Sequence, residues 1–314
     1  MKNKYLFVSI LLAVILIVGV GTTVLYTNAQ KSARQKEEMT VVTSFYPMYV
    51  AAKNVIGDCE GVTLSNLSEP QTGCMHDYQL TAEDMKLLST ADVFVVNGGG
   101  IETFLSDVAQ AYPELKIVNA CEGLELLGEN AHAWMSMPDY IRQIETIAAG
   151  LSEADAGHQA IYEENAQTYI GKVNDLRNEA HELEHMMAGQ QIVLFHEAYE
   201  YLAEDYGFLV AGLLNLDEER QVSAGEVADI LSAVQEKHVS VILAEELYGK
   251  DMGDMMRAET GVQVVYLDTL VRGDYEADSY LKGMEQNIRL LKEVFRAKDA
   301  KTEDPEQSDL PGGN

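Results

Sequence analysis

Positive charge is in short supply in this sequence. Its 314 residues hold 22 Lys and Arg against 51 Asp and Glu, a formal net charge of −29. The deficit runs through the body: residues 39–296 carry 15 basic and 44 acidic side chains. Affinity for a phosphate backbone comes from Lys and Arg that displace counterions, so nucleic acid is excluded as a partner. An anionic body suits a protein that handles cations. Cysteine is scarce as well, with three in the chain. A Cys59–Cys74 disulfide would close a loop of about 16 residues, worth roughly 3 kcal/mol in the loop-entropy picture, and would leave Cys121 over; three buried thiols are the alternative. No G-x-G-x-x-G or P-loop Lys accompanies the Gly-rich turn at Gly98–Gly100, so no phosphate cradle is indicated. A G-x-S-x-G elbow and a coherent Cys-His pair are also missing.

Only one long hydrophobic run is present. Lys2 and Lys4 precede the uncharged stretch Tyr5 to Tyr26, which as a helix would span about 33 Å. The body is therefore expected to be exported. Thr27-Asn28-Ala29 matches an A-x-A cleavage triplet poorly, which favours an uncleaved anchor, and no Cys near its end could carry a lipid.

The remainder alternates short β-branched runs with amphipathic stretches. Strands are predicted at 40–44, 62–67, 92–97 and 116–119, then at 191–195, 209–214, 239–244 and 262–267. Runs such as Val93-Phe94-Val95-Val96 and Val241-Ile242-Leu243-Ala244 are apolar at consecutive positions, as parallel strands covered on both faces require. Between the two sets, an amphipathic stretch from about Ala156 carries Tyr162, Ala166, Tyr169, Val173, Leu176, Ala180, Leu183 and Met187 at steps of three or four, one stripe of a long helix. The fold class predicted is α/β: two lobes, each with a four-stranded parallel sheet flanked by helices, joined by one long spine helix. The expected divisions are an anchor or signal segment (1–30), a linker (31–39), an N-terminal lobe (40–155), the linking helix (156–188), a C-terminal lobe (189–296) and a disordered acidic tail (297–314).

Several polar groups fall where strands end. His196 follows the fifth strand directly, Asp268 the eighth; His76 lies nine residues past the second and His132 in the loop after the fourth. Ligands of open parallel α/β sheets bind outside the carboxyl ends of the strands, so two imidazoles of the first lobe can meet an imidazole and a carboxylate of the second. Three neutral imidazoles and a carboxylate suit Zn²⁺ better than Ca²⁺ or Mg²⁺. Taken singly, each His also reads as an ordinary hydrogen-bonded loop or core residue.

At these residues the chain resembles the solute-binding proteins of bacterial metal-ion ABC transporters, in their zinc and manganese cluster. Val41-Val42-Thr43-Ser44-Phe45-Tyr46-Pro47-Met48 is similar to that family's first strand and turn, and Met75-His76-Asp77-Tyr78 to its first ligand motif. Ala91 to Glu102 resembles its third strand and Asn-Gly turn. Asn130-Ala131-His132-Ala133-Trp134 is similar to its Asp-Pro-His-x-Trp, Phe195-His196-Glu197-Ala198-Tyr199 to its third motif, and Leu267-Asp268-Thr269-Leu270 to Leu-Asp-Pro-Leu. The resemblance runs from about Val41 to Phe295. It implies His76, His132, His196 and Asp268 as metal ligands, Zn²⁺ ahead of Mn²⁺ because His stands at the third position, and no enzymatic activity. It further implies work with an ABC permease outside the cytoplasm, while a monomeric body held at the membrane by the N-terminal segment is expected. Affinity is expected to fall as pH drops, since imidazoles must be neutral to bind. The usual Pro is missing beside His132 and after Asp268, and the His-rich loop of many zinc members is absent, 127–130 being short.

Two other readings compete. His181-Glu182-Leu183-Glu184-His185 fits the H-E-x-x-H of zinc proteases. However, no third His follows at the required spacing, and both His lie off the apolar stripe. An adhesin-like surface protein with a structural metal is the second; chelation would unfold that one.

Overall fold

The computed structural model describes residues 38–303, except 70–74, 77 and 217–221, and leaves out the side chains of Glu182 and 297–303. The expected anchor and the Cys74 half of the expected disulfide thus lie outside the described residues; Cys59 is buried. No helix among the described residues is long and apolar enough to cross a membrane.

The first lobe contains β1 (Met39–Thr43), α1 (Tyr46–Ile56), β2 (Val62–Asn66), α2 (Ala82–Leu88), β3 (Val93–Val96), α3 (Leu105–Ala111), β4 (Lys116–Asn119), a 3₁₀ turn (Ala133–Met135) and α4 (Met137–Ala154). The long α5 (Gln159–Met187) follows. The second lobe contains β5 (Gln191–Leu194), α6 (Tyr199–Asp205), β6 (Leu209–Leu213), α7 (Ala224–Glu236), β7 (Val241–Ala244), α8 (Glu246–Thr260), β8 (Gln263–Tyr266) and α9 (Ser279–Glu303). Both sheets are parallel and share one topology, β2-β1-β3-β4 and β6-β5-β7-β8. In each the chain runs outward from its first strand and then crosses back, so a switch point lies between β1 and β3 and another between β5 and β7. Ligand crevices form at such points, beyond the carboxyl ends.

The two-lobe α/β architecture is the predicted one. β3 and β7 are buried at every position, and all eight apolar stripe positions of α5 are buried against the core. Differences lie at the ends. The final helix, expected to stop at Arg296, runs to Glu303, because 297–303 contains neither Gly nor Pro and the first breaker is Pro305.

Local chemistry sets the starts of the helices near the cleft. Thr81 and Asp84 form a reciprocal capping box on α2. Asp84 also accepts from the Tyr78 hydroxyl at 3.0 Å, and Met75 is fully buried, so the chain is tied on both sides of His76. Ser136 caps α4 by accepting from Asp139 N–H at 3.3 Å.

Ser136 Oγ also donates to Asp205 of the other lobe, at 3.2 Å. Burial pushes the Asp205 carboxyl up to about 7. A group whose folded pKa exceeds its unfolded one stabilises fully below the unfolded value and progressively less as pH rises through the folded value. Stability of the metal-free protein is therefore expected to decline between about pH 4 and pH 7 through this group. Asp205→Asn, which keeps the acceptor oxygen, should remove that slope and raise Tm at pH 7.5 by roughly 3–6 °C. Equal slopes in thermal melts of both proteins would show that Asp205 does not titrate there.

Candidate metal centre

His132 is the hub of the cleft. It precedes the 3₁₀ turn, whose Ala133, Trp134 and Met135 are buried, and is itself fully buried. The His76 and His196 rings each lie 5.2 Å from its ring, centroid to centroid. The Trp134 ring, 4.9 Å away, walls the site. Trp134 Nε1 donates to Thr269 O at 2.9 Å, and Tyr280 donates to Trp134 O at 2.9 Å, so this wall also joins the lobes.

Asn130 orients the hub. Its Oδ1 accepts the His132 backbone N–H at 3.0 Å and lies 2.8 Å from His132 Nδ1. The proton of the neutral ring thus belongs on Nδ1, and Nε2 keeps its lone pair for a cation. The Asn130 amide also donates across the cleft to Glu197 O at 2.8 Å, and Tyr201 of the second lobe donates to Asn130 O at 2.7 Å.

Glu197 is the residue that sequence reasoning missed. It follows β5 and His196 directly, and its backbone N–H is fixed by Asn215 Oδ1 at 3.0 Å. Its Oε1 lies 3.4 Å from His76 Nε2 and 3.7 Å from His132 Nδ1. His76, His132 and Glu197 each offer a donor atom within 4.8 Å of the others, and no other group of three or more His, Cys, Asp or Glu side chains among the described residues does so. Burial pushes the His132 imidazole well below its ordinary pKa, and the neighbouring His196 and His76 push the same way. The His76 hydrogen bond holds the Glu197 carboxyl below its ordinary value. At neutral pH the imidazole is neutral and the carboxylate charged, the forms that bind cations.

The four residues singled out from sequence occupy different depths. His76 and His132 belong to the tight cluster. His196, nearly fully buried, packs on His132, and its Nδ1 accepts the Ala198 N–H at 3.0 Å. Asp268, just past β8, is exposed and is not part of the tight cluster. Its backbone is gripped on both sides by the Asn287 amide at 2.8 Å, and its Oδ1 accepts Leu270 N–H at 2.7 Å. Leu270 has φ +59°, a left-handed conformation a bulky side chain seldom adopts, held by that bond. Glu245, directly after β7, pairs with Arg272 at 2.5 Å.

The sequence model of the family described as "Zinc-uptake complex component A periplasmic" matches residues 41–294. The chain belongs to this family. It is similar to the high-affinity zinc uptake system protein ZnuA of Bacillus subtilis, 26% identical over 298 residues that cover 87% of this chain and 92% of the relative. It is likewise similar to the manganese-binding lipoprotein MntA of Halalkalibacterium halodurans, 26% identical over 264 residues covering 80% and 87%. Among solved structures, the solute-binding protein FpvC of Pseudomonas aeruginosa in complex with Ni²⁺ superposes with a TM-score of 0.76 at 25% identity, over 83% of this chain and 98% of that one. The zinc-uptake family match begins within β1 and ends within α9, so it spans both sheets and every residue of the cleft described above.

The H-E-x-x-H pair is placed elsewhere. His181 and His185 are exposed on α5, and His181 pairs with Glu184 at 3.0 Å.

Proposed function

We propose that this chain captures a divalent transition metal, Zn²⁺ first, in the cleft between its lobes outside the cytoplasmic membrane, and delivers it to an ABC permease for uptake. His76 and His132 of the first lobe and His196 and Asp268 of the second hold the cargo; nothing is catalysed. The observation that carries this reading is the meeting of His76, His132 and Glu197 donors within 4.8 Å, with His196 against His132. Relatives of similar length are described as zinc-uptake and manganese-binding proteins, and the imidazole-rich set favours Zn²⁺. The N-terminal apolar segment keeps a monomeric body, with the lobe divisions given above, beside its permease. Cross-lobe bonds at Asn130, Trp134 and Ser136 favour release by small shifts rather than wide opening.

The exposed α5 pair disfavours a protease, which needs its His set in a substrate cleft. The test is uptake of radiolabelled Zn²⁺ by cells lacking this chain under zinc limitation. Uptake should fall several-fold, return with the wild-type gene and not return with His132→Ala. Uptake unaffected by the deletion would contradict the assignment.

A further inference from the structure

The H-E-x-x-H pair on α5 is not absorbed by the cleft. Of the seven His in the chain, only His181 and His185 stand within four residues of each other. From their geometry we infer a second, weaker cation site on the exposed face of α5, a clip of two imidazoles for a borderline divalent transition cation, separate from the cargo site between the lobes.

The helix sets the spacing. Residues four apart lie one above the other on one face of an α-helix, and the His181 and His185 rings stand 5.9 Å apart, centroid to centroid. A cation held by two imidazole nitrogens at about 2.0–2.1 Å brings the ring centres to roughly 5 Å, so the pair has about 1 Å to close. Rotation of exposed side chains covers that distance quickly. The backbone beneath stays in place, because Ala180, Leu183 and Met187 of the same turns are buried against the core.

One imidazole is already oriented. Glu184 Oε2 lies 3.0 Å from His181 Nδ1, and a ligating His ordinarily gives its other ring N–H to a carboxylate. The proton of the neutral His181 ring therefore belongs on Nδ1, and the Nε2 lone pair is left for the cation. The His181 side chain is 68% exposed, so a hydrated ion reaches it without any opening of the lobes. Residues 179–190 contain Glu179, Glu182 and Glu184 and no Lys or Arg, and their charge raises the local concentration of cations. Among the described residues no third His, Cys, Asp or Glu donor joins the pair. Water then completes the shell, which makes the site weak and reversible.

The test titrates the metal-stripped full chain with Zn²⁺ by calorimetry, for wild type, His132→Ala, the double variant His181→Ala/His185→Ala and Glu184→Ala. The α5 positions are not buried, and Ala is the best helix former there, so melts of these variants should match wild type. Wild type should take two equivalents, the second bound roughly 100-fold or more weakly than the first, since it has only two protein donors. The double variant should lose the second step and keep the first, and His132→Ala should do the reverse. Glu184→Ala should weaken the second step by about tenfold. In long-range ¹H–¹⁵N spectra of the wild type, the second equivalent should shift Nε2 of both His181 and His185 while Nδ1 of His181 keeps its proton. A wild type that takes one equivalent only, a second step that survives in the double variant, or unmoved Nε2 resonances would overturn the inference. If His132→Ala keeps the tight step while the double variant loses the weak one, the capture assignment falls and the α5 clip stands.

Discussion

His132→Ala is expected to weaken Zn²⁺ binding by at least about a thousandfold. Losing an outer partner of a metal ligand typically costs 10–100-fold, and His132 is the ring on which the cleft converges. It is fully buried, with the His76 and His196 rings at 5.2 Å, and burial keeps it in the neutral form that ligates. Asn130→Ala, which leaves the ring but removes its acceptor and the Glu197 tether, should cost about 10–100-fold. The order of the two losses matters: it separates a ligand from the residue that orients it. Equilibrium titration against a chelator of known affinity measures both. A His132→Ala protein that binds Zn²⁺ within about threefold of wild type would place the site elsewhere.

The largest expected stability loss is at Glu102, which is not itself a proposed ligand. This carboxylate is 4% exposed. It accepts the Ser44 hydroxyl at 2.7 Å, the Asn97 N–H at 2.8 Å and the Gly98 N–H at 2.9 Å. Burial pushes its pKa up, while those three bonds act the other way. Glu102→Ala strands all three donors, and breaking such a buried polar arrangement costs about 3–5 kcal/mol. A fall in Tm of about 10 °C should follow, visible in thermal melts of the metal-free protein. The damage should reach the cleft, because Asn97 Nδ2 donates to Ala131 O at 2.9 Å, next to His132. Glu102→Gln keeps one acceptor oxygen and should lose less than Glu102→Ala. A melt for Glu102→Ala within 2 °C of wild type would show that the turn after β3 does not depend on this carboxylate.

The turn that Glu102 closes shows how such features can be read in a sequence. Asn97-Gly98-Gly99-Gly100-Ile101-Glu102 stands out as a turn after an apolar strand. Gly98 has φ +82°, and a Cβ there would sit 1.8 Å from Asn119 Oδ1, so the glycine is required by close approach. Consecutive apolar residues in β3 and β7 and the unbroken stripe of α5 made the parallel sheets and the spine legible, since burial on both faces and a 3.6-residue period leave direct marks on composition. His76, His132 and His196 were legible because imidazoles are rare here, with seven in the chain, and because they follow strands. Glu197 was not. Among 51 acidic residues one more carboxylate carries no signal, and its place is set by Asn130 and Asn215, which lie 67 and 18 residues away. Its position beside a strand-end His was the available clue. The end of α9 was misread because a charged, acidic stretch resembles a solvated tail, whereas an exposed helical turn tolerates the same residues.

The central claim is that the cleft takes up a metal reversibly within an already folded protein. The most direct measurement strips the full chain of metal, confirms a cooperative thermal transition, and titrates it with Zn²⁺ while Tm is followed. One tight site per chain, a folded metal-free state and a Tm that climbs with Zn²⁺ concentration are predicted. A chain that unfolds on chelation would make the metal structural, and one with no saturable site would contradict the account.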